Sequence, residues 1–267
     1  MLEDNKQKVV LEISHLHKKY DENSVIDDLS LKLYEREVVV IIGSSGCGKS
    51  TLLRCINLLE DIQGGEIRLC GEIISSRKRD LSEIRQRIGM VFQNYELFPH
   101  KNVLDNIILA PIKVQKRKKD EVIEEAKALL KRVGLEEKIY SMPSQLSGGQ
   151  KQRVAIVRAL CMNPEILLFD EVTASLDPEM TREVLEVILE LADMGKTMLV
   201  VTHEMQFARA VADRIVFIDE GSIIEEGSPE EFFESPKSEK VKAFLDTFTY
   251  KQKRNKGENN YEKRNDF

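Results

Sequence analysis

The chain has 267 residues with 42% hydrophobic content, enough to bury the core of one or two domains. Its 46 acidic side chains outnumber 40 basic ones for a formal net charge of -6, which argues against nucleic acid or anionic lipid as a partner held by a global basic field. No apolar run approaches the roughly 18 residues of a spanning helix, so work at a membrane would need another chain to supply the span.

In chain order, residues 1–8 are mixed in charge and do not read as a secretory signal. Short strand patterns follow at residues 9–13, 29–33 and, after the Gly64-Gly65 turn, 66–69, which together predict an antiparallel sheet. Residues 38–42 form a continuous β-branched run, and residues 166–169, 198–201 and 215–218 resemble it. Such runs suit a parallel sheet buried on both faces. Between them lie helical patterns. Leu52, Leu53, Ile56 and Leu59 share one face, as do Val184, Val187, Ile188 and Leu191. The second of these helices is punctuated by Asp177 as N-cap, Pro178 in the first position and Gly195 after the last turn. From about residue 95 to 150 strand signals vanish, and residues 118–133 carry Ile123, Ala126, Leu130 and Val133 on one stripe, which predicts a helical subdomain inserted in an α/β core. The basic run at residues 116–119 reads as a solvated helix start rather than a lipid or nucleic-acid contact. Cys47, Cys55, Cys70 and Cys161 lack metal-ligand spacing and read as reduced core residues of a cytosolic protein. The polar tail at residues 251–267 reads as disordered.

The chemistry concentrates in three places. Gly43-Ser44-Ser45-Gly46-Cys47-Gly48-Lys49-Ser50 fits G-x-x-x-x-G-K-[ST], with a strand leading in and a helix leading out. Its backbone N–H groups should cradle phosphates beside a positive helix end, with Lys49 on the β- and γ-phosphates and the Ser50 hydroxyl on Mg2+. Asp170 closes the strand at residues 166–169, where a metal-holding carboxylate belongs, and the adjacent Glu171 could take a proton from attacking water. Leu146-Ser147-Gly148-Gly149-Gln150 precedes an amphipathic helix bearing Val154, Ala155, Val157, Arg158 and Cys161. Ser147 and Gln150 fit a capping box, and the paired glycines suggest a second anion site with no lysine of its own. His203-Glu204 opens as an H-E-x-x-H zinc helix would, but Phe207 stands where the second histidine is required.

The set formed by residues 43–50, Gln93, residues 146–150, Asp170, Glu171, Asp177 and His203 resembles the ATP-binding subunits of ABC transporters, in order and spacing, over about residues 8–248. The resemblance implies a P-loop NTPase core of α/β class with an N-terminal antiparallel β subdomain and an inserted helical subdomain. It implies that ATP and Mg2+ are the ligands, with Gly43, Ser44, Ser45, Gly46, Cys47, Gly48, Lys49, Ser50 and Thr51 around the phosphates. It also implies that Ser147, Gly148, Gly149 and Gln150 complete the site of a second copy, so that two chains close head to tail on ATP. Gln93 would contact Mg2+ or the attacking water, His203 the γ-phosphate and Tyr20 the adenine, while Asp177 would bridge the two sites. A narrower resemblance, to the cassettes of polar amino acid importers, rests on Leu53-Arg54-Cys55-Ile56-Asn57, Leu97-Phe98-Pro99-His100, Val201-Thr202-His203-Glu204-Met205 and Phe207-Ala208-Arg209, and on residues 232–245. It implies separate transmembrane permease subunits, indirectly an extracytoplasmic solute-binding protein, and a peripheral place on the cytoplasmic face of the membrane. Two departures stand out: Val172 replaces the usual proline, and Ala174-Ser175 reverses the usual Ser-Ala. The alternative is a soluble ABC-type ATPase without a transport role, but such chains usually carry twin cassettes or long coiled coils. A GTPase would need an N-K-x-D segment, which is absent.

Overall fold

A computed structural model describes residues 8–75 and 80–248. Among them ten strands form two sheets: β1 (Val9–Tyr20), β2 (Asn23–Tyr34), β3 (Val38–Gly43), β4 (Gly64–Leu69), β5 (Glu72–Ile73), β6 (Ile88–Val91), β7 (Ile166–Asp170), β8 (Met198–Val201), β9 (Arg214–Asp219) and β10 (Ser222–Gly227). The smaller sheet is antiparallel in the order β2-β1-β4-β5. The larger has the order β10-β9-β3-β8-β7-β6 and is parallel except at the β10 edge. The expectation of an α/β core with an antiparallel sheet near the N-terminus is met.

The continuous apolar runs have a direct cause. Successive side chains of a strand point to opposite faces, and here both faces are covered. Val38, Val40 and Ile42 of β3 enter the core under the helices, whereas Val39 and Ile41 enter the core between the two sheets. Leu167 and Phe169 of β7 divide from Ile166 and Leu168 in the same way, as do Met198 and Val200 of β8 from Leu199 and Val201. A strand with one wet face would alternate; these cannot.

The helices are α1 (Lys49–Ile56), α2 (Leu81–Arg87), α3 (Val103–Lys113), α4 (Lys119–Arg132), α5 (Gly148–Leu160), α6 (Pro178–Asp193), α7 (Met205–Val211), α8 (Pro229–Glu234) and α9 (Glu239–Asp246). Helices α3, α4 and α5 are inserted between β6 and β7 with no strand among them. In α6 the Asp177 carboxylate accepts from the Met180 N–H at 2.9 Å, and Gly195, at φ 70°, closes the helix by donating to Ala192 O. The sequence signals at both ends thus act as read.

Four expectations are corrected. Strand β1 continues past Ile13 to Tyr20, because register shifts around His15 (φ 51°) and Lys18 break the alternation that marks a strand in sequence. Helix α1 stops at Ile56, so Leu59 leaves the apolar face and is 43% exposed; Arg85 donates to the Asn57 and Leu58 carbonyls at that helix end. In α4 the fully buried stripe is Val122, Ala126 and Leu130, with Ile123 only half-buried at its flank. Cys70 is exposed and donates to Glu165, unlike the buried Cys47, Cys55 and Cys161. The tail expected to be disordered, residues 251–267, lies outside the described residues.

Candidate functional site

The parallel strands bring the candidate residues into one row. The phosphate loop follows β3, His203 follows β8, Asp170 and Glu171 end β7, and Gln93 follows β6; in space these strands are neighbours in the order β3-β8-β7-β6. Ligands of open α/β sheets bind at such carboxyl ends.

In the loop itself, Gly46 (φ 78°) and Gly48 (φ 102°) take left-handed backbone that an L side chain resists. Nothing lies within 4 Å of where a Cβ of Gly46 would stand, so the loop opens outward there. Gly48 caps α1 without a side-chain bond, leaving the first-turn N–H groups available to an anion. Lys49 is 4% exposed, and its ammonium donates to Gly43 O at 3.0 Å and Ser44 O at 2.8 Å. A longer contact, 3.9 Å, runs to Cys47 Sγ, and no carboxylate lies at ion-pair distance among the described residues. Ser44 Oγ donates to Asp219 Oδ1 at 2.8 Å, and Lys240 of α9 donates to the other oxygen of Asp219 at 2.7 Å. The Lys240 ammonium, and after it the Ser44 hydroxyl, hold the Asp219 carboxyl below the usual carboxylate range.

Ser50 Oγ donates to Asp170 Oδ1 at 2.6 Å. Asp170 is 5% exposed, and burial pushes its pKa up against the opposing hydrogen bond from Ser50. A hydroxyl and a buried carboxylate are hard oxygen donors suited to Mg2+, which takes one or two carboxylates and fills much of its shell from phosphates and water. Among the described residues no cluster of three acidic, histidine or cysteine side chains could hold a metal by itself, in keeping with that division.

Glu171 adopts φ 47° and donates its N–H to Val201 O at 3.0 Å. This turn separates its direction from that of Asp170 and brings Glu171 Oε1 to 3.0 Å from His203 Nε2. Non-glycine residues in left-handed backbone cluster at functional sites because surrounding structure must hold them there. Gln93 is exposed just beyond β6. Tyr20, 40% exposed at the end of β1, lies beneath the Lys18 ammonium at 4.4 Å from the ring centroid, and Lys18 is anchored to Glu60 Oε2 at 2.9 Å. Burial, then Glu60, raises the Tyr20 phenol pKa, with the Thr51 hydroxyl of α1 opposing. Tyr20 and Thr51 therefore border the phosphate loop together.

Ser147 and Gln150 form the expected reciprocal cap, with Gln150 N donating to Ser147 Oγ at 3.2 Å and Ser147 N to Gln150 Oε1 at 3.1 Å. The paired glycines acquire a packing reason as well. A Cβ on Gly148 would stand 2.8 Å from Leu176 Cδ2 and 3.0 Å from Tyr95 Oη, and one on Gly149 3.0 Å from Met180 Cβ. This loop is therefore seated on the Asp177 loop of its own chain, and among the described residues none of its hydrogen bonds reaches residues 43–50.

Sequence reasoning passed over three residues that join these loops. Gln152 Nε2 donates to Phe92 O at 3.1 Å, Arg158 donates to the carbonyls of Tyr95 and Glu96, and Tyr95 Oη lies 3.3 Å from Ser175 Oγ. The available signal was an arginine within the apolar stripe of α5. A groove of about 710 Å³ opens beside them, lined among others by Asn57, Arg85, Phe98, Leu109 and Arg158. Phe98 is 41% exposed there, whereas Leu97 packs against the main core, so only one of these two apolar residues faces outward.

A family model described as ABC transporter matches residues 26–174, more than half of the chain. The chain belongs to the ABC transporter family. It is 52% identical over 237 residues to the arginine transport ATP-binding protein ArtM of Bacillus subtilis, covering 89% of this chain and 99% of that one. It is 53% identical to the glutamine transport ATP-binding protein GlnQ of the same organism, over 88% and 98% of the two chains. The glutamate/aspartate import ATP-binding protein GltL of Escherichia coli is 51% identical over the same shares. Among solved structures, the cassette MJ0796, dimeric and bound to ADP and Pi, superposes with a TM-score of 0.74 at 34% identity, covering 82% of this chain and 98% of that one. For cbiO1 of Clostridium perfringens the TM-score is 0.77 at 31% identity, with 91% and 98% covered. The expected family and fold are met, and the chain is a nucleotide-binding ABC-type ATPase.

Proposed function

We propose that this chain is the ATP-hydrolysing subunit of an importer of polar amino acids, its cassette spanning residues 8–248 with residues 95–150 as the inserted helical part. The observation that carries this reading is the identity of about half across nearly the whole length of relatives whose names specify arginine, glutamine and glutamate or aspartate transport. ATP occupies the loop at residues 43–50, its adenine on Tyr20 and its γ-phosphate on the Lys49 ammonium. Ser50 and Asp170, with Gln93 from the neighbouring strand end, hold Mg2+, which when bound neutralises charge on the β- and γ-phosphates. Glu171 accepts the proton of the attacking water as general base, and the 3.0 Å contact orients His203 toward the γ-phosphate. Two anion-binding loops that do not meet in one chain are used together when two copies close head to tail, with Ser147, Gly148, Gly149 and Gln150 facing the partner's ATP. The dimeric state of MJ0796 supports that arrangement.

Among the described residues no helix is long and apolar enough to cross a membrane. In keeping with the transport names of the relatives, separate permease subunits carry the span, and the chain sits peripherally on their cytoplasmic side, served indirectly by an extracytoplasmic solute-binding protein. The groove beside residues 93–102 receives a short helix of the permease, with the exposed Phe98 at its mouth. The deciding experiment co-purifies the chain with its permease in vesicles and follows uptake of labelled arginine, glutamine and glutamate. ATP-dependent uptake of at least one, lost in Glu171→Gln, is expected; ATP hydrolysis with no amino acid uptake would refute the transport reading and leave a soluble ATPase.

A further inference from the structure

Three observations meet at the turn that follows Gln93. Tyr95 (φ 61°) and Glu96 (φ 50°) are successive non-glycine residues in left-handed backbone, a conformation their β-carbons oppose. Both of their carbonyls accept hydrogen bonds from one guanidinium, that of Arg158, with Nη2 at 3.0 Å from Tyr95 O and Nη1 on Glu96 O. Six residues earlier on the same helix, Gln152 holds Phe92 O at 3.1 Å. Gln93 and Asn94 are thus suspended between two anchors on α5. At about 1.5 Å of rise per residue these anchors lie about 9 Å apart along the helix.

Arg158 is half-buried and has no carboxylate at ion-pair distance among the described residues. Burial lowers its pKa. A half-buried cation that spends its donors on two backbone carbonyls defines the shape of that backbone more than it stabilises the fold. The planar fork of arginine presents its two Nη donors in a fixed geometry, which a lysine ammonium with rotatable donors on a flexible stem does not reproduce. Arg158 also lines the groove assigned above to the permease, and its helix begins at the Ser147 loop assigned to the second copy.

We propose that Arg158 is a positioning residue for ATP hydrolysis: by clamping the left-handed turn at Tyr95 and Glu96 it fixes where Gln93 reaches, and it ties that reach to the groove and to α5. The proposal rests on the reading of Gln93 as the residue that meets Mg2+ or the attacking water. Without the clamp the turn relaxes toward ordinary right-handed backbone, Gln93 loses its position, and ATP still binds through the loop at residues 43–50, which Arg158 does not touch.

The test measures kcat and KM for ATP in the full chain for wild type, Gln93→Ala, Arg158→Met, Arg158→Lys and the pair Arg158→Met with Glu96→Gly. The expected result is a fall in kcat of about tenfold in Arg158→Met, the scale of a released left-handed residue, with little change in KM. Arg158→Lys falls in between. Glu96→Gly restores much of the rate to Arg158→Met, because glycine holds the left-handed turn without a clamp. Adding Arg158→Met to Gln93→Ala lowers the rate no further. A normal kcat in Arg158→Met beside a crippled Gln93→Ala, a raised KM with kcat intact, or an additive double variant would overturn the proposal. Should Arg158→Met not fold, Arg158→Lys with and without Gln93→Ala gives the same non-additivity test. Near-normal turnover in Gln93→Ala would instead overturn the reading of Gln93, and no hydrolysis by wild type the reading of the site.

Discussion

Replacing Glu171 by Gln separates catalysis from binding at this site. The amide keeps the size of the side chain and can still bond His203 across 3.0 Å, and it leaves the Ser50 to Asp170 contact of 2.6 Å untouched. Backbone strain at φ 47° is the same for both residues, so the fold should hold. What disappears is the carboxylate that takes a proton from water. Loss of a general base typically costs about 100-fold to 10,000-fold in rate, or roughly 3 to 5 kcal/mol of barrier. Phosphate release under saturating ATP should fall by that factor while ATP affinity, read by titration, stays near wild type. With closure no longer relieved by hydrolysis, sedimentation with ATP should show an accumulated dimer. Turnover within about threefold of wild type, far short of the general-base cost, would remove Glu171 from this role and make His203 the next residue to test.

Other outcomes follow from the same geometry. Lys49→Ala removes the buried ammonium that no carboxylate pairs, so ATP affinity should weaken about 10-fold to 100-fold, as for a lost charged hydrogen bond, and no ATP-dependent dimer should form. Ser147→Arg adds bulk and charge at the cap of α5 without touching residues 43–50, so the monomer should bind ATP normally and fail to dimerise; lost monomer binding would show that the loop serves its own nucleotide. Lys240→Ala releases Asp219, whose folded pKa is lowered chiefly by that ammonium. A lowered carboxyl pKa contributes stability above the ordinary carboxylate range and loses it as pH falls through the folded value. The melting temperature of Lys240→Ala should therefore lie below wild type at neutral pH, with the gap closing on acidification, and a gap that is constant with pH would refute the linkage.

What the sequence determined by itself was whatever is encoded in neighbouring residues. The phosphate loop is contiguous, and its chemistry depends on local backbone turns and one helix end, so residues 43–50 are legible without a fold. The buried parallel strands are legible because two covered faces demand an unbroken apolar run, and α6 because Asp177, Pro178 and Gly195 act within a turn of its ends. Helices α2 and α3 left weaker traces. The first is seven residues long, and the second carries Pro111 within it and buries the polar Asn106, which holds carbonyls of Phe98, Lys101 and Asn102. Only the tertiary structure decided which residues converge. Gln93, Asp170, Glu171 and His203 form one row because the strand order is β3-β8-β7-β6, and that order is set by long-range pairing that no local pattern records. The glycines of the Ser147 loop read as an anion site in sequence, yet their tight contacts with Leu176, Tyr95 and Met180 appear only once α6 is packed against α5. Arg158 and Gln152 were hidden for a further reason: their partners are backbone carbonyls, which every residue carries, so the clamp on the Gln93 loop leaves no mark in the identities of the residues it holds.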